Sequence, residues 1–147
     1  ENNVHGFQKD IIKKIPVCYD ARLGLDQNRF LEHANCSLDE LINMHCQPEY
    51  IVYMVGFLPG FAYMGVVPEK LRLPRLNEPR KIVPQGSVAI ANQQTGIYPF
   101  TSPGGWNIIG QTPLKMFNIH EAEPTYLKMG DRVKFCPISI DEFEDLI

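Results

Sequence analysis

The chain has 147 residues, 44% of them hydrophobic and 21% charged, enough for one domain with its own core. A formal net charge of −3 gives no basis for a nucleic-acid partner. No apolar run approaches the ~20 residues a membrane-crossing helix needs, so no membrane partner is expected either.

No secretory signal is visible at the N-terminus. The four cysteines, Cys18, Cys36, Cys46 and Cys136, form no Cys-x-x-Cys pair and share no zinc spacing with histidine. They read as reduced, mostly buried thiols of a cytoplasmic protein. No residue set argues for a bound metal.

Residues 1–14 show no clear period; Phe7, Ile11 and Ile12 stand among charges. Ile15-Pro16-Val17-Cys18-Tyr19 predicts a short edge strand, because Pro16 has no N–H for a central ladder. Asp26 stands where an N-cap would, and Phe30, Leu31 and Ala34 fall at helical spacing over 27–34. Ser37 with Glu40 reads as a capping box. Leu38, Leu41, Ile42 and His45 then mark one face of a second helix, which ends before Pro48. His45 reads first as a packed or half-exposed residue of that face and only second as a functional one. Residues 50–55, β-branched and aromatic, predict a central strand.

Two glycine- and proline-rich stretches are crowded with aromatics: 56–65 (GFLPGFAYMG) and 93–105 (QQTGIYPFTSPGG), the latter followed by Trp106. A solvated linker would carry Ser, Lys and Glu instead. Glycine permits positive φ and close approach, proline fixes φ, and aromatics supply apolar faces. These stretches predict shaped, ordered loops that build one functional surface. Between them the basic run 70–81 has two readings, a receiver for an anionic group or solvated charge on an extended connection.

Strands are expected at 82–83, 87–91, 95–98, 106–110 and 132–135, with a bulge or bend at Gly110. Residues 114–117 extend or follow the fourth of these. Pro84-Gln85-Gly86 and Gly130-Asp131 read as turns, 120–124 as a polar loop, and 140–147 as a last short helix. Many short strands between regular turns predict a mainly β barrel or sandwich, a single domain over 1–147 with two short helices near one end.

The chain has no Walker loop, no dinucleotide fingerprint, no His-Glu-x-x-His and no Gly-x-Ser-x-Gly elbow. Ser87, Ser102 and His120 are the nearest members of a dispersed triad, and each is weak. No residue is an evident nucleophile, and catalytic residues stay unassigned.

Several blocks occur together in order: Ile15-Pro16-Val17-Cys18-Tyr19, Pro48-Glu49-Tyr50, the whole of 56–65, Leu73-Pro74-Arg75, the run 83–91, Gln94-Thr95-Gly96-Ile97-Tyr98-Pro99, Ser102-Pro103-Gly104-Gly105-Trp106 and the run 109–114. In these the chain resembles the allophanate hydrolase subunit 1 family, which includes the B subunit of bacterial 5-oxoprolinase and the kinase inhibitor KipI. The resemblance implies a cyclophilin-like β-barrel, the C-terminal domain of that family, without the small N-terminal α/β domain that members usually carry. It also implies a partner, the family's subunit 2 (the C subunit in the oxoprolinase), and a third protein. That third protein opens 5-oxoproline to glutamate using ATP, with no cofactor bound by this domain alone. A barrel of that kind does not by itself imply prolyl isomerase activity.

The two readings meet in the same loops. Gly60, Gly96, Gly104 and Gly105 would turn backbone N–H groups toward a carboxylate, phosphate or carbonyl oxygen, the alternative being turn geometry alone. Phe57, Phe61, Tyr63, Tyr98 and Trp106 would wall a cleft, with Pro59 shaping its rim. For Phe61 and Tyr63 the core reading stands level with the site reading; for Tyr50, Tyr53 and Phe117 the core reading is preferred. Gln85, Gln94, Thr95 and Ser102 would supply uncharged hydrogen bonds, and Arg80 would pair with an anion. The expected function is a subunit of an ATP-dependent 5-oxoprolinase complex acting on a small amide. The alternatives are a KipI-like module that binds a sensor histidine kinase and blocks its autophosphorylation, and the carboxyltransferase part of a biotin-dependent urea carboxylase.

Overall fold

A computed structural model describes residues 11–147, so Phe7 lies outside the described residues. In chain order the elements are β1 (Ile12–Cys18), α1 (Gln27–Ala34), α2 (Leu38–Cys46), β2 (Tyr50–Val55), β3 (Ala62–Gly65), a single 3-10 turn (Glu69–Leu71), β4 (Arg80–Val83), β5 (Ser87–Ala91), β6 (Gln94–Ile97), β7 (Ser102–Gly104), β8 (Asn107–Gln111), β9 (Arg132–Ile138) and α3 (Ile140–Leu146). Seven strands close into a barrel in the order β1-β8-β5-β6-β3-β2-β9, while β4 and β7 pair as a separate ribbon. The mainly β barrel is as expected. The last short helix expected over 140–147 forms as α3, where Ser139 and Glu142 make a capping box like that of Ser37 and Glu40.

The expected edge strand is longer than predicted and closes the barrel. From Ile12 to Cys18 it runs parallel to β9, and it meets β8 only at Cys18 opposite Gln111. This thinly partnered seam is the place in the ladder that tolerates Pro16. On β8, Gly110 pairs with Val88 and Ile108 with Ala89, so Ile109 is one residue extra, a bulge beside the glycine. The bulge sends Ile109 into the barrel and Ile108 to its outer face, each fully buried in a different cluster. Residues 114–117 form no strand; Phe117 makes an isolated bridge to Thr125.

All seven barrel strands feed one interior cluster, which includes Val17, Val52, Met64, Ile90, Ile97, Ile109 and Phe135. Phe30 of α1 and Leu41 of α2 are buried in the same cluster, so the two helices plug the barrel. His45 completes the plug. Its ring is fully buried and stacks on Phe135 at 4.5 Å. Its Nε2 lies 3.0 Å from Thr95 Oγ1, whose own proton goes to the Ala89 carbonyl at 2.9 Å. Nε2 is therefore the protonated nitrogen, and Nδ1 accepts from the Tyr19 hydroxyl at 2.7 Å. Burial lowers the His45 pKa to about 3, so the ring is neutral at physiological pH. Thr95, expected as a site donor, is committed to this interior chain instead.

A second, smaller core lies outside the barrel. Ala89, Ala91 and Ile108 present small and branched side chains on the outer face of β5 and β8, and Val83, Phe61, Tyr98 and Trp106 pack onto them. The loops that read as unusual in the sequence are what covers this face.

Candidate functional site

The hairpin between β2 and β3 begins with strain. Leu58 N–H bonds the Gly56 carbonyl at 2.8 Å, closing a γ-turn on Phe57, whose φ is +69°. This is the rarer, positive-φ form of the turn, costly for a bulky residue. It holds the Phe57 ring 69% exposed, edge-on to Phe61 at 5.8 Å. Such outliers gather at functional sites, where surrounding structure over-determines them.

Phe61 sits beneath as the floor, almost fully buried. Its ring lies 4.9 Å from Tyr63 and 5.3 Å from both Tyr98 and Trp106, edge-on to the last two. Tyr63 and Trp106 are themselves 5.8 Å apart. Two glycines make this possible by being small. A Cβ on Gly96 would lie 3.0 Å from the Phe61 ring, and one on Gly104 would lie 2.6 Å from Tyr98 Cε2 and closer still to its hydroxyl. Both are bare ground for aromatic rings. Tyr98 Oη in turn accepts a long bond from Trp106 N–H at 3.4 Å.

The result is a hollow of about 100 Å³ lined by Phe57, Tyr63, Arg75, Tyr98, Gly104, Gly105 and Trp106. Both aromatic stretches contribute, so six of the predicted site residues do meet. Burial raises the Tyr98 pKa, and both the Trp106 N–H bond and the Arg75 charge act against that rise. The phenol is the neutral form at physiological pH, able to donate one hydrogen bond.

Other predicted residues lie elsewhere. Gln94 donates to the Tyr53 hydroxyl and lines a separate depression with Arg72 and Pro74. Gln85 lines another, beside Gln111, Leu114 and Phe143. Ser102 Oγ bonds its neighbour's carbonyl, Pro103 O, at 3.1 Å. Pro59 is exposed, and Gly60, at φ +87°, serves turn geometry against the Met116 carbonyl. Tyr53, expected in the core, is 44% exposed, while Phe117 is half-buried against Phe100. Ser87 is buried and His120 exposed, and no hydrogen bond joins Ser87 or Ser102 to His120 among the described residues.

Arg80 is not a free anion receiver. Its Nη2 donates to Asp26 Oδ1 at 2.6 Å, and Asp26 Oδ2 accepts from Ile108 N–H at 2.8 Å. Asp26 thus precedes α1 without capping it through its side chain; that carboxylate pins β4 and β8 instead. Arg75 is the cation that faces the hollow. The signal for it was present in Leu73-Pro74-Arg75, a block in which the basic residue follows a backbone-fixing proline.

All four cysteines are free; Cys18 is buried and the other three are partly exposed. Among the described residues no helix is long and apolar enough to cross a membrane, and no group of three or more His, Cys, Asp or Glu is placed to hold a metal ion.

A plugged seven-strand barrel with an aromatic hollow on its outer face is the frame against which known proteins compare. The chain belongs to the family described as carboxyltransferase domain, subdomain C and D, which matches residues 2–127. It is 45% identical over 132 residues to the B subunit of 5-oxoprolinase from Bacillus subtilis, covering 90% of this chain and 55% of that protein. To the 5-oxoprolinase B subunit of Haemophilus influenzae it is 47% identical over 135 residues, covering 92% and 63% respectively. The crystal structure of a conserved uncharacterized protein from Pyrococcus horikoshii superposes with a TM-score of 0.88 at 44% identity, over 97% of this chain and 65% of that one. The chain therefore spans rather more than half the length of these relatives.

Proposed function

We propose that this chain is part of a subunit of an ATP-dependent 5-oxoprolinase complex, in which the aromatic hollow forms one side of a site for a small cyclic amide. The observation that carries this reading is the convergence of both aromatic stretches on one hollow, in a chain 45% and 47% identical to two 5-oxoprolinase B subunits. Size supports it. Ligand cavities for drug-sized molecules run to ~300–1,000 Å³, whereas this one is about 100 Å³. It suits a single small ring and not a nucleotide.

Chemistry supports a shared site as well. The lining offers two phenols, a phenyl ring, a guanidinium, an indole and two glycines, with no carboxylate, thiol or imidazole to act as base or nucleophile. What this wall can do is seat a ring, orient it and keep water off one face. A partner of the oxoprolinase C-subunit type, with a third chain, would then bring the reacting groups, in the cytoplasm.

The test is reconstitution of the full-length protein with its candidate partners, following ATP-dependent release of glutamate from 5-oxoproline. Trp106→Ala should cut kcat/KM at least tenfold, while Gln94→Ala, outside the hollow's lining, should leave it unchanged. No turnover, together with tight binding to a sensor histidine kinase, would hand the function to the inhibitor reading.

A further inference from the structure

We infer that Arg75 is the anion seat of the hollow: it binds the carboxylate of a small cyclic acid whose ring lies against Tyr63 and Trp106. This deepens the reading of the hollow as a small-molecule site and rests on it.

The first observation is commitment. Five of the six arginines have partners: Arg22 with Asp20, Arg29 with Asn107, Arg72 with the Val67 carbonyl, Arg80 with Asp26 and Arg132 with Glu49. Arg75 has no hydrogen-bond or ion-pair partner among the described residues, yet it lines the hollow. An exposed arginine of that kind is ordinarily just solvated, on a mobile stretch of chain.

The second observation speaks against a mobile stretch of chain. The backbone is fixed immediately on both sides of Arg75. Asn107 Nδ2 donates to the Pro74 carbonyl at 3.0 Å, and Leu76 N–H donates to the Gly105 carbonyl at 2.7 Å. Asn107 is itself fully buried and held by the Ile90 carbonyl and Arg29. A cation presented from a pinned backbone and left without a counter-charge is the arrangement a planar acid requires, since the guanidinium fork matches a carboxylate bidentately.

The third observation is the fit of the remainder. The space left at Gly105 is bare; a Cβ there would be 3.8 Å from Pro79 and 3.9 Å from Arg75 Cβ. The Tyr98 hydroxyl accepts from Trp106 N–H, and its own proton has no acceptor among the described residues, so it is available to an amide carbonyl. The volume, about 100 Å³, is that of roughly three waters at ~30 Å³ each, or one five-membered ring. A ring acid carrying an amide uses all three features: carboxylate on Arg75, ring face on the aromatics, carbonyl on Tyr98.

The chain has a single tryptophan, and it lies in the hollow, so its fluorescence reports occupancy directly. Three probes separate the contributions: L-5-oxoproline, 2-pyrrolidone (the same ring without the carboxylate) and cyclopentanecarboxylate (the carboxylate without the amide). The expected result is saturable change with both acids, tightest for 5-oxoproline, and none with 2-pyrrolidone. Arg75→Gln should weaken the acids about tenfold or more, and Arg75→Lys should recover part of the loss. Should the free chain bind too weakly to read, the same variants go into the reconstituted complex, where Arg75→Gln should raise KM for 5-oxoproline with kcat within about twofold. Equal binding by Arg75→Gln and wild type, 2-pyrrolidone binding as well as 5-oxoproline, or no response to any probe in chain or complex would overturn the inference. Arg75-dependent binding of the acids without any turnover by the complex would instead sink the 5-oxoprolinase reading and leave the anion seat standing.

Discussion

Acid should loosen this barrel through its buried histidine before its carboxylates titrate. His45 carries a folded-state pKa of about 3 against 6.5 when free, the cause being burial alone. The unfolded chain thus binds a proton that the folded one refuses, and stability falls as pH falls from 6.5 toward 3. Linkage at ~1.4 kcal/mol per pH unit gives a loss of about 2 kcal/mol between pH 7 and pH 5, growing to over ~3 kcal/mol by pH 4. Above pH 7 the contribution is complete and flat. Asp20, Glu40 and Glu123 also have lowered pKa values, through side-chain bonding to Arg22, the Ser37 backbone N–H and side-chain bonding to Lys128 respectively. Their losses come lower, as pH drops through the ordinary carboxylate range, and are shared by any His45 variant. Urea unfolding followed by Trp106 fluorescence at pH 7, 6 and 5 isolates the histidine. His45→Phe keeps a ring on Phe135 but removes two hydrogen bonds, so it should be less stable at pH 7 by ~1–3 kcal/mol. Its stability should nevertheless vary far less between pH 7 and pH 5 than the wild type's. Equal slopes in the two proteins would refute the argument.

Three further outcomes follow from the hollow and its supports. Gly104→Ala drives a methyl into the buried Tyr98 ring, an overpacking cost of ~1–3 kcal/mol that calorimetry should register as a Tm drop of about 3–10 °C. Phe57→Gly relieves the positive φ of the γ-turn, so its unfolding free energy in urea should hold or rise by up to ~1 kcal/mol while KM in the complex increases; a clear loss of stability would show that the turn is not strained. Asp26→Asn leaves Arg80 without its counter-charge and should cost ~1–3 kcal/mol at unchanged m-value. Adding Arg80→Met should return part of that loss, and strict additivity of the two changes would mean no coupling between them.

Local chemistry was the legible part of this sequence. The capping box of Ser37 and Glu40, the strand over 87–91 and the bulge beside Gly110 are each decided by residues close in sequence, and each forms as expected. Faces were harder. In β2, YIVYMV is apolar at every position, so alternation could not say that Tyr50 and Val52 point inward while Ile51 and Tyr53 face solvent. That Arg80 was named for the site and Arg75 was not has a different reason. Both stand in one basic run, and what commits Arg80 is Asp26, a residue 54 positions away. At the glycines, sequence shows that a side chain is missing and not what fills its place; at Gly96 and Gly104 it is an aromatic ring.

Asp26 and Arg29 explain why the hollow has a fixed shape without large secondary-structure elements around it. They sit at the start of α1, and their side chains leave the helix. Asp26 holds Arg80, whose strand partner is Gly104 on one wall of the hollow. Arg29 holds Asn107, which holds the Pro74 carbonyl beside Arg75 on another. Burial of Phe61, Tyr98 and Trp106 anchors these loops to the outer face of the barrel, and contacts made elsewhere set the walls that carry Gly104 and Arg75. Here those contacts are charged or buried polar groups, strong only because every partner is present. A helix that forgoes side-chain capping at its own N-terminus thereby ties two walls to the barrel core. The hollow's geometry should therefore respond to substitutions in α1 that touch none of its lining residues.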